Sequence, residues 1–175
     1  MLPLFLFKKM KVILPTPSNF EKKLCSYFSE ECAVSNVTEY RKRNQSNINK
    51  ISKDIYYGKI AEILVFNYLI SKGKKASPPD FMIYESKMKS FEADIKVEDV
   101  NIHVKSCLDS SNFPNSWLFQ PNDPLIKQNS DKDILALVVI SKKPYVYFRK
   151  INTVKFESPV KKSLNKLVIY VRSFS

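Results

Sequence analysis

Two stretches near the middle of the chain combine residue types that can do phosphate chemistry. They are Phe91-Glu92-Ala93-Asp94-Ile95-Lys96-Val97 and Asn101-Ile102-His103-Val104-Lys105-Ser106-Cys107. Both alternate with period two, the pattern of half-buried strands. In the first, Phe91, Ala93, Ile95 and Val97 point one way, and Glu92, Asp94 and Lys96 the other. In the second, Ile102 and Val104 point inward, and His103 and Lys105 share the opposite face. Only Glu98-Asp99-Val100 separates them, so the pair reads as a hairpin with Asp94 beside Lys105 on one sheet face. An acid and a lysine so placed can hold a divalent metal against a phosphate. Asp94 faces out of the sheet, so its removal is expected to leave the fold intact.

A helix must position a further acid. The spacing predicts a helix from Asp54, as cap, to Gly73, as stop. Glu62 is the only acid in its apolar centre, Ile60-Ala61-Glu62-Ile63-Leu64-Val65-Phe66. At about 100° per residue Glu62 shares a face with Ile55, Phe66 and Leu69. Buried there, a lone carboxylate would cost several kcal/mol, so it needs a metal, a lysine or a water-filled cleft. The bland alternative is a glutamate meeting solvent at the edge of an amphipathic helix.

With Glu62 in a helix at Gly58-x-x-Ala61-Glu62, an acid at Ala93-Asp94-Ile95, and a strand carrying His103-Val104-Lys105-Ser106, the chain resembles the PD-(D/E)xK nucleases. That superfamily includes restriction endonucleases, junction resolvases, some homing endonucleases and phage exonucleases. The resemblance runs from Gly58 to about Gln120. It includes Ser116-Trp117-Leu118-Phe119-Gln120, where Gln120 matches a glutamine that several branches carry on the next strand. The pattern departs at one place. The acid expected two residues before the lysine is His103, and imidazole is a poor ligand for magnesium. Either His103 binds a softer metal such as manganese, or it is a base or phosphate contact, or the site is degenerate; the plain alternative is a strand histidine in a local hydrogen bond. As the only histidine, it cannot build a multi-histidine zinc site. Asp80, in Pro78-Pro79-Asp80-Phe81, is the rival acid, but Asp94 suits adjacent strands of one hairpin better. Asp80 is expected to begin a strand and cap its turn.

The resemblance implies metal-dependent hydrolysis of DNA phosphodiester bonds. Asp94 and the Val104 carbonyl would hold Mg²⁺ or Mn²⁺, with Glu62 binding directly or through water. Lys105 would orient the attacking water or stabilise the pentacovalent state, and Gln120 would hold water or a phosphate oxygen. Glu62, Asp94, His103, Lys105 and Gln120 thus form the expected catalytic set. The rival expectation is a non-catalytic nucleic-acid-binding protein that keeps the fold. A third is a structural protein whose basic surface is incidental.

Composition suits a polyanionic partner. The chain has 29 Lys+Arg against 17 Asp+Glu, a formal net charge of +12. Arg41, Lys42, Arg43 and Lys50 precede the Glu62 helix, Lys74 and Lys75 follow it, and Lys87 and Lys89 precede the hairpin; these are the expected phosphate contacts. Lys72, Lys161, Lys162 and Lys166 add to the charge.

At 175 residues and 44% hydrophobic, the chain can bury one core. It reads as a single nuclease-like domain, residues 1–175, with a helical, basic extension over 1–50 and a catalytic core over 51–175. The expected fold is α/β: a mixed central β-sheet flanked by helices, the restriction-endonuclease-like layout. The apolar start, Met1 to Phe7, is too short for a membrane span and is followed rather than preceded by charge; a strand is the expected role. Ser18 and Glu21 predict a capped helix to about Ala33. Asp133 to Ser141 predicts a central strand covered on both faces. Tyr145 to Arg149 and Leu167 to Val171 predict further strands, and Ile151 to Phe156 a short helix. Trp117 is core or an aromatic platform for a base. Cys25, Cys32 and Cys107 have no metal spacing, which fits reduced thiols in an intracellular, cytoplasmic protein of prokaryotic or viral type. A homodimer is the usual route to double-strand cleavage by so small a domain.

Overall fold

A computed structural model describes residues 11–42, 45–84, 93–109, 114–127, 130–159 and 165–174. The strand expected over the first seven residues, and the start of the hairpin at Phe91 and Glu92, lie outside them.

The apolar run after Asp133 organises the molecule. It forms strand β5 (Asp133–Ile140), buried along nearly its whole length, as continuous hydrophobicity without alternation demands. In the five-stranded mixed sheet β5 lies between β3 (Val100–Leu108), to which it is parallel, and β6 (Tyr145–Lys150), to which it is antiparallel. The edges are β2 (Ile95–Val97), antiparallel to β3, and β1 (Val12–Ile13), antiparallel to β6.

One face of the sheet packs on helices. Ile95, Val97, Ile102, Ile134, Ala136, Val138, Val146 and Phe148 meet Ile60, Ala61, Ile63, Leu64, Val65 and Leu69 of α3 (Ile48–Ser71). Helix α1 (Asn19–Ser35) packs on α3 and buries Cys25 in the same core. The capping box expected at Ser18 and Glu21 is present: Glu21 N–H donates to Ser18 Oγ, and Ser18 N–H donates to Glu21 Oε2. A short helix α2 (Val37–Arg41) connects them.

The other face holds Leu135, Leu137, Val139 and Tyr147. They are covered by Trp117 and Phe119 of β4 (Ser116–Phe119), Ile169 of β7 (Leu167–Tyr170), and Leu125 of α4 (Pro124–Lys127). Strands β4 and β7 pair antiparallel as a separate two-stranded sheet. The central strand is therefore covered on both faces, as its unbroken apolar run predicts. Trp117 is core, 1% exposed, with its indole N–H donating to the Val138 carbonyl at 2.9 Å, so it is no platform for a base.

Boundaries shift in two places. Helix α3 starts at Asn47, whose Oδ1 accepts the Lys50 N–H, and not at Asp54, which lies inside the helix in an ion pair with Lys50. Residue 50, read as the end of the extension, thus falls within α3. Gly73, at φ +72°, stops the helix as expected. The hairpin turn is Glu98-Asp99 alone, with Val97 paired to Val100. Glu98 takes φ +54° where glycine would be easier, in a chain with two glycines. The expected short helix after β6 is one 3-10 turn, Ile151–Thr153.

Candidate functional site

The β2–β3 hairpin sets Asp94 just before β2, so extending the register brings it opposite His103. Its carboxylate closes the end of the ladder. Val104 N–H donates to Asp94 Oδ2 at 2.7 Å, in the place a further β2 residue would occupy. Within a strand, amide and carbonyl of one residue point to the same side, so the Val104 carbonyl is turned toward this edge as well. Asp94 is therefore both a candidate ligand and a structural acceptor, and its removal is not the neutral change for the fold that its outward placement suggests.

Strand alternation places His103 and Lys105 on the face away from α3, as predicted. There the two diverge. His103 is 5% exposed, and its Nε2 lies 3.0 Å from Asp133 Oδ1. Asn101 Nδ2 donates to the same carboxylate oxygen at 3.1 Å. Burial pushes the Asp133 pKa up, but the hydrogen bonds from His103, Asn101 and Ser130 outweigh it and hold the pKa below the usual carboxylate value. One imidazole nitrogen is thus committed to Asp133.

Lys105 keeps contact with the surface. Its Nζ lies 3.4 Å from Asp123 Oδ2 and 5.2 Å from the centre of the Phe119 ring. Gln120 follows Phe119 in the chain, and its backbone carbonyl accepts the Asp123 N–H at 3.0 Å. Lys105 therefore meets Asp123, whose backbone closes the turn that begins at Gln120 after β4. Asp123 was missed in the sequence because it sits in a Pro- and Asn-rich stretch with no periodicity. Asp133 was missed because its meaning depends on β5 lying parallel to β3, with Asn101 opposite Asp133.

Glu62 belongs to the helical layer. It is buried, and it pairs with a lysine, one of the three partners expected for it. Lys59, one turn earlier, donates to Glu62 Oε2 at 2.6 Å. The same ammonium lies 5.3 Å from the Phe28 ring and 5.6 Å from the Phe81 ring. Burial and then the Glu62 charge push the Cys25 thiol of α1 up to about 12. Among the described residues no three of His, Cys, Asp and Glu gather into a group that could hold a metal ion. Asp80 accepts the Met82 N–H and the Tyr84 hydroxyl, so it caps its own turn as expected, though no strand starts there.

The basic residues spread along α3. Arg41 and Lys42 end α2, with Lys42 in a 2.7 Å ion pair with Glu39. Lys50 pairs with Asp54, in the first turn of α3. Lys74 and Lys75 follow the far end of that 24-residue helix, which at about 1.5 Å per residue is about 36 Å long. Arg43, Lys87 and Lys89 lie outside the described residues. No helix is long and apolar enough to cross a membrane among the described residues. No protein-family model, no curated protein and no solved structure matches this chain.

Proposed function

We propose that the chain is a metal-dependent deoxyribonuclease acting at the β2–β3 edge. The observation that carries this reading is the arrangement around β3: the Asp94 carboxylate on the Val104 amide, with Lys105 next along the strand and Gln120 at the turn that its partner Asp123 closes. The donor set suits a weakly chelated hard cation, which keeps most of its waters and takes one or two carboxylates plus substrate phosphates. Asp94 and the Val104 carbonyl would hold Mg²⁺ or Mn²⁺. Glu62 would join only through water, or after leaving Lys59. When bound, the metal would lower the pKa of a water and offset phosphate charge. Lys105, released from Asp123 by an incoming phosphate, would donate to the oxyanion. Gln120 would orient the water. His103, oriented by Asp133, would rigidify the strand that carries Lys105.

A second reading is a nucleic-acid-binding protein without catalysis. It is favoured by the Lys59–Glu62 pair and by the lack, among the described residues, of a three-ligand group. Supercoiled plasmid incubated with the purified protein separates the two. Nicking in Mg²⁺ or Mn²⁺ that is lost in Lys105→Met supports the nuclease; binding without nicking in either metal rejects it.

A further inference from the structure

Among the described residues, one buried side-chain nitrogen or oxygen has no hydrogen-bond partner: Nη2 of Arg149. Arg149 is 8% exposed. It lies on β6 in register with Leu135, which is in register with His103 on β3. The three share the sheet face away from α3, and Arg149 stands two strand spacings, about 10 Å, from His103. Its guanidinium lies against a stacked aromatic pair, 4.5 Å from the Phe174 ring centre and 5.6 Å from that of Tyr147. Nη1 donates to the Phe148 carbonyl at 2.8 Å.

The acids nearest Arg149 along the chain are already engaged: Glu157 pairs with Arg172 and accepts from the Ser173 hydroxyl. Asp133 accepts from Asn101 and His103, and Asp131 from Lys150 and Asn152. None of the described contacts of Arg149 is to a carboxylate. A guanidinium stays charged at every working pH, and burying one without an opposite charge costs several kcal/mol. A trapped water would fill the hydrogen bond and leave the charge uncompensated. An oxyanion supplies both, because the planar fork of arginine matches two oxygens of one group.

We propose that Arg149 anchors a site for a single phosphate-type oxyanion, seated against Nη2 beside the Phe174 and Tyr147 rings. The Val171–Phe174 turn covers it, tied by Val171 N–H to the Asn115 carbonyl and by Arg172 to Glu157. Admission of the anion requires the Phe174 ring to swing aside. The strongly basic chain draws phosphates to its surface, and Arg149 selects one of them. This site does not depend on the nuclease reading.

The test is thermal unfolding and isothermal titration with inorganic phosphate replacing chloride at constant ionic strength, for the wild type, Arg149→Met and Arg149→Lys. The wild type should show a saturable rise in melting temperature and a one-to-one titration. Arg149→Lys should bind at least tenfold more weakly, since it keeps the charge and loses the fork. Arg149→Met should show no rise, and in chloride it should melt at or above the wild-type temperature. No phosphate-specific rise in the wild type overturns the proposal, and so does an equal rise in Arg149→Met or undiminished binding in Arg149→Lys. Arg149→Lys alone decides the matter if the methionine variant does not fold. Acetate matching phosphate would also overturn it, as a general carboxylate site. A short DNA duplex that displaces phosphate from the wild type identifies the source as a nucleic-acid backbone; no displacement identifies a free phosphate.

Discussion

Replacing Asp94 separates its two roles, because alanine and asparagine remove different things. The Val104 N–H is partly buried and donates to Asp94 Oδ2 at 2.7 Å. Asp94→Ala leaves that donor without its acceptor, which costs about 1–3 kcal/mol. In a domain of this size each kcal/mol lowers the melting temperature by about 2–4 °C, so Asp94→Ala should melt roughly 2–12 °C below wild type. Asp94→Asn keeps an oxygen that can accept the same N–H and removes the charge. It should melt within about 2 °C of wild type, a change of under ~1 kcal/mol. If Asp94 holds the metal, asparagine should nonetheless reduce metal-dependent nicking by at least about 100-fold, the scale of losing several kcal/mol of transition-state charge stabilisation. Thermal unfolding and a plasmid-nicking assay on the same preparations give both readouts. Wild-type nicking by Asp94→Asn would refute the ligand role. An unchanged melting temperature in Asp94→Ala would refute the strand-closing role.

Asp133→Asn should destabilise the fold, since it disturbs a buried acceptor of two donors; about 3 kcal/mol is expected, read by urea unfolding. Because the Asp133 pKa is lowered by folding, its charged form contributes stability that is present above the unfolded-state value near 3.9 and lost as pH falls through the folded value. Wild-type stability should therefore drop on acidification below about pH 4 more steeply than that of Asp133→Asn. His103→Ala should lower stability and leave any preference between Mn²⁺ and Mg²⁺ unchanged, because Nε2 serves Asp133; a switch in metal preference would restore His103 as a ligand. Trp117→Ala should cost about 3–5 kcal/mol and leave DNA affinity of the folded fraction alone; the reverse pattern would mean that the indole contacts bases. DNA affinity, measured by fluorescence anisotropy between about 50 and 200 mM salt, should fall steeply, and a flat plot would exclude the basic residues as phosphate contacts.

Local patterning was enough for several elements. The unbroken apolar run from Ile134, of strand length and rich in β-branched residues, suits a doubly covered strand, and it became the central β5. Ser18 with Glu21 satisfied each other's end of α1, because a capping box needs only four neighbouring residues. Alternation set Ile102 and Val104 against the helices, with His103 and Lys105 on the other face, since the pleat obliges it. The single acid in the apolar centre of α3 required a partner, and Lys59 was within one turn.

Everything that depends on which elements become neighbours was decided by tertiary structure. Alternation divides residues between two faces; it is silent on what covers each face. Here β4 and β7 roof the side away from α3 and bury Trp117, while His103 is buried beside Asp133. The parallel pairing of β3 with β5 brings Asp133 to His103 across 30 positions of sequence, and no local signal foretells that register. The same holds for Lys105 with Asp123, and for Arg149, whose charge is unremarkable in the sequence and is left buried by the packing of Phe174. Periodicity reports a residue's side of its own element. Burial, pKa and partnership are set by the elements stacked on that side, and those are chosen by the whole core.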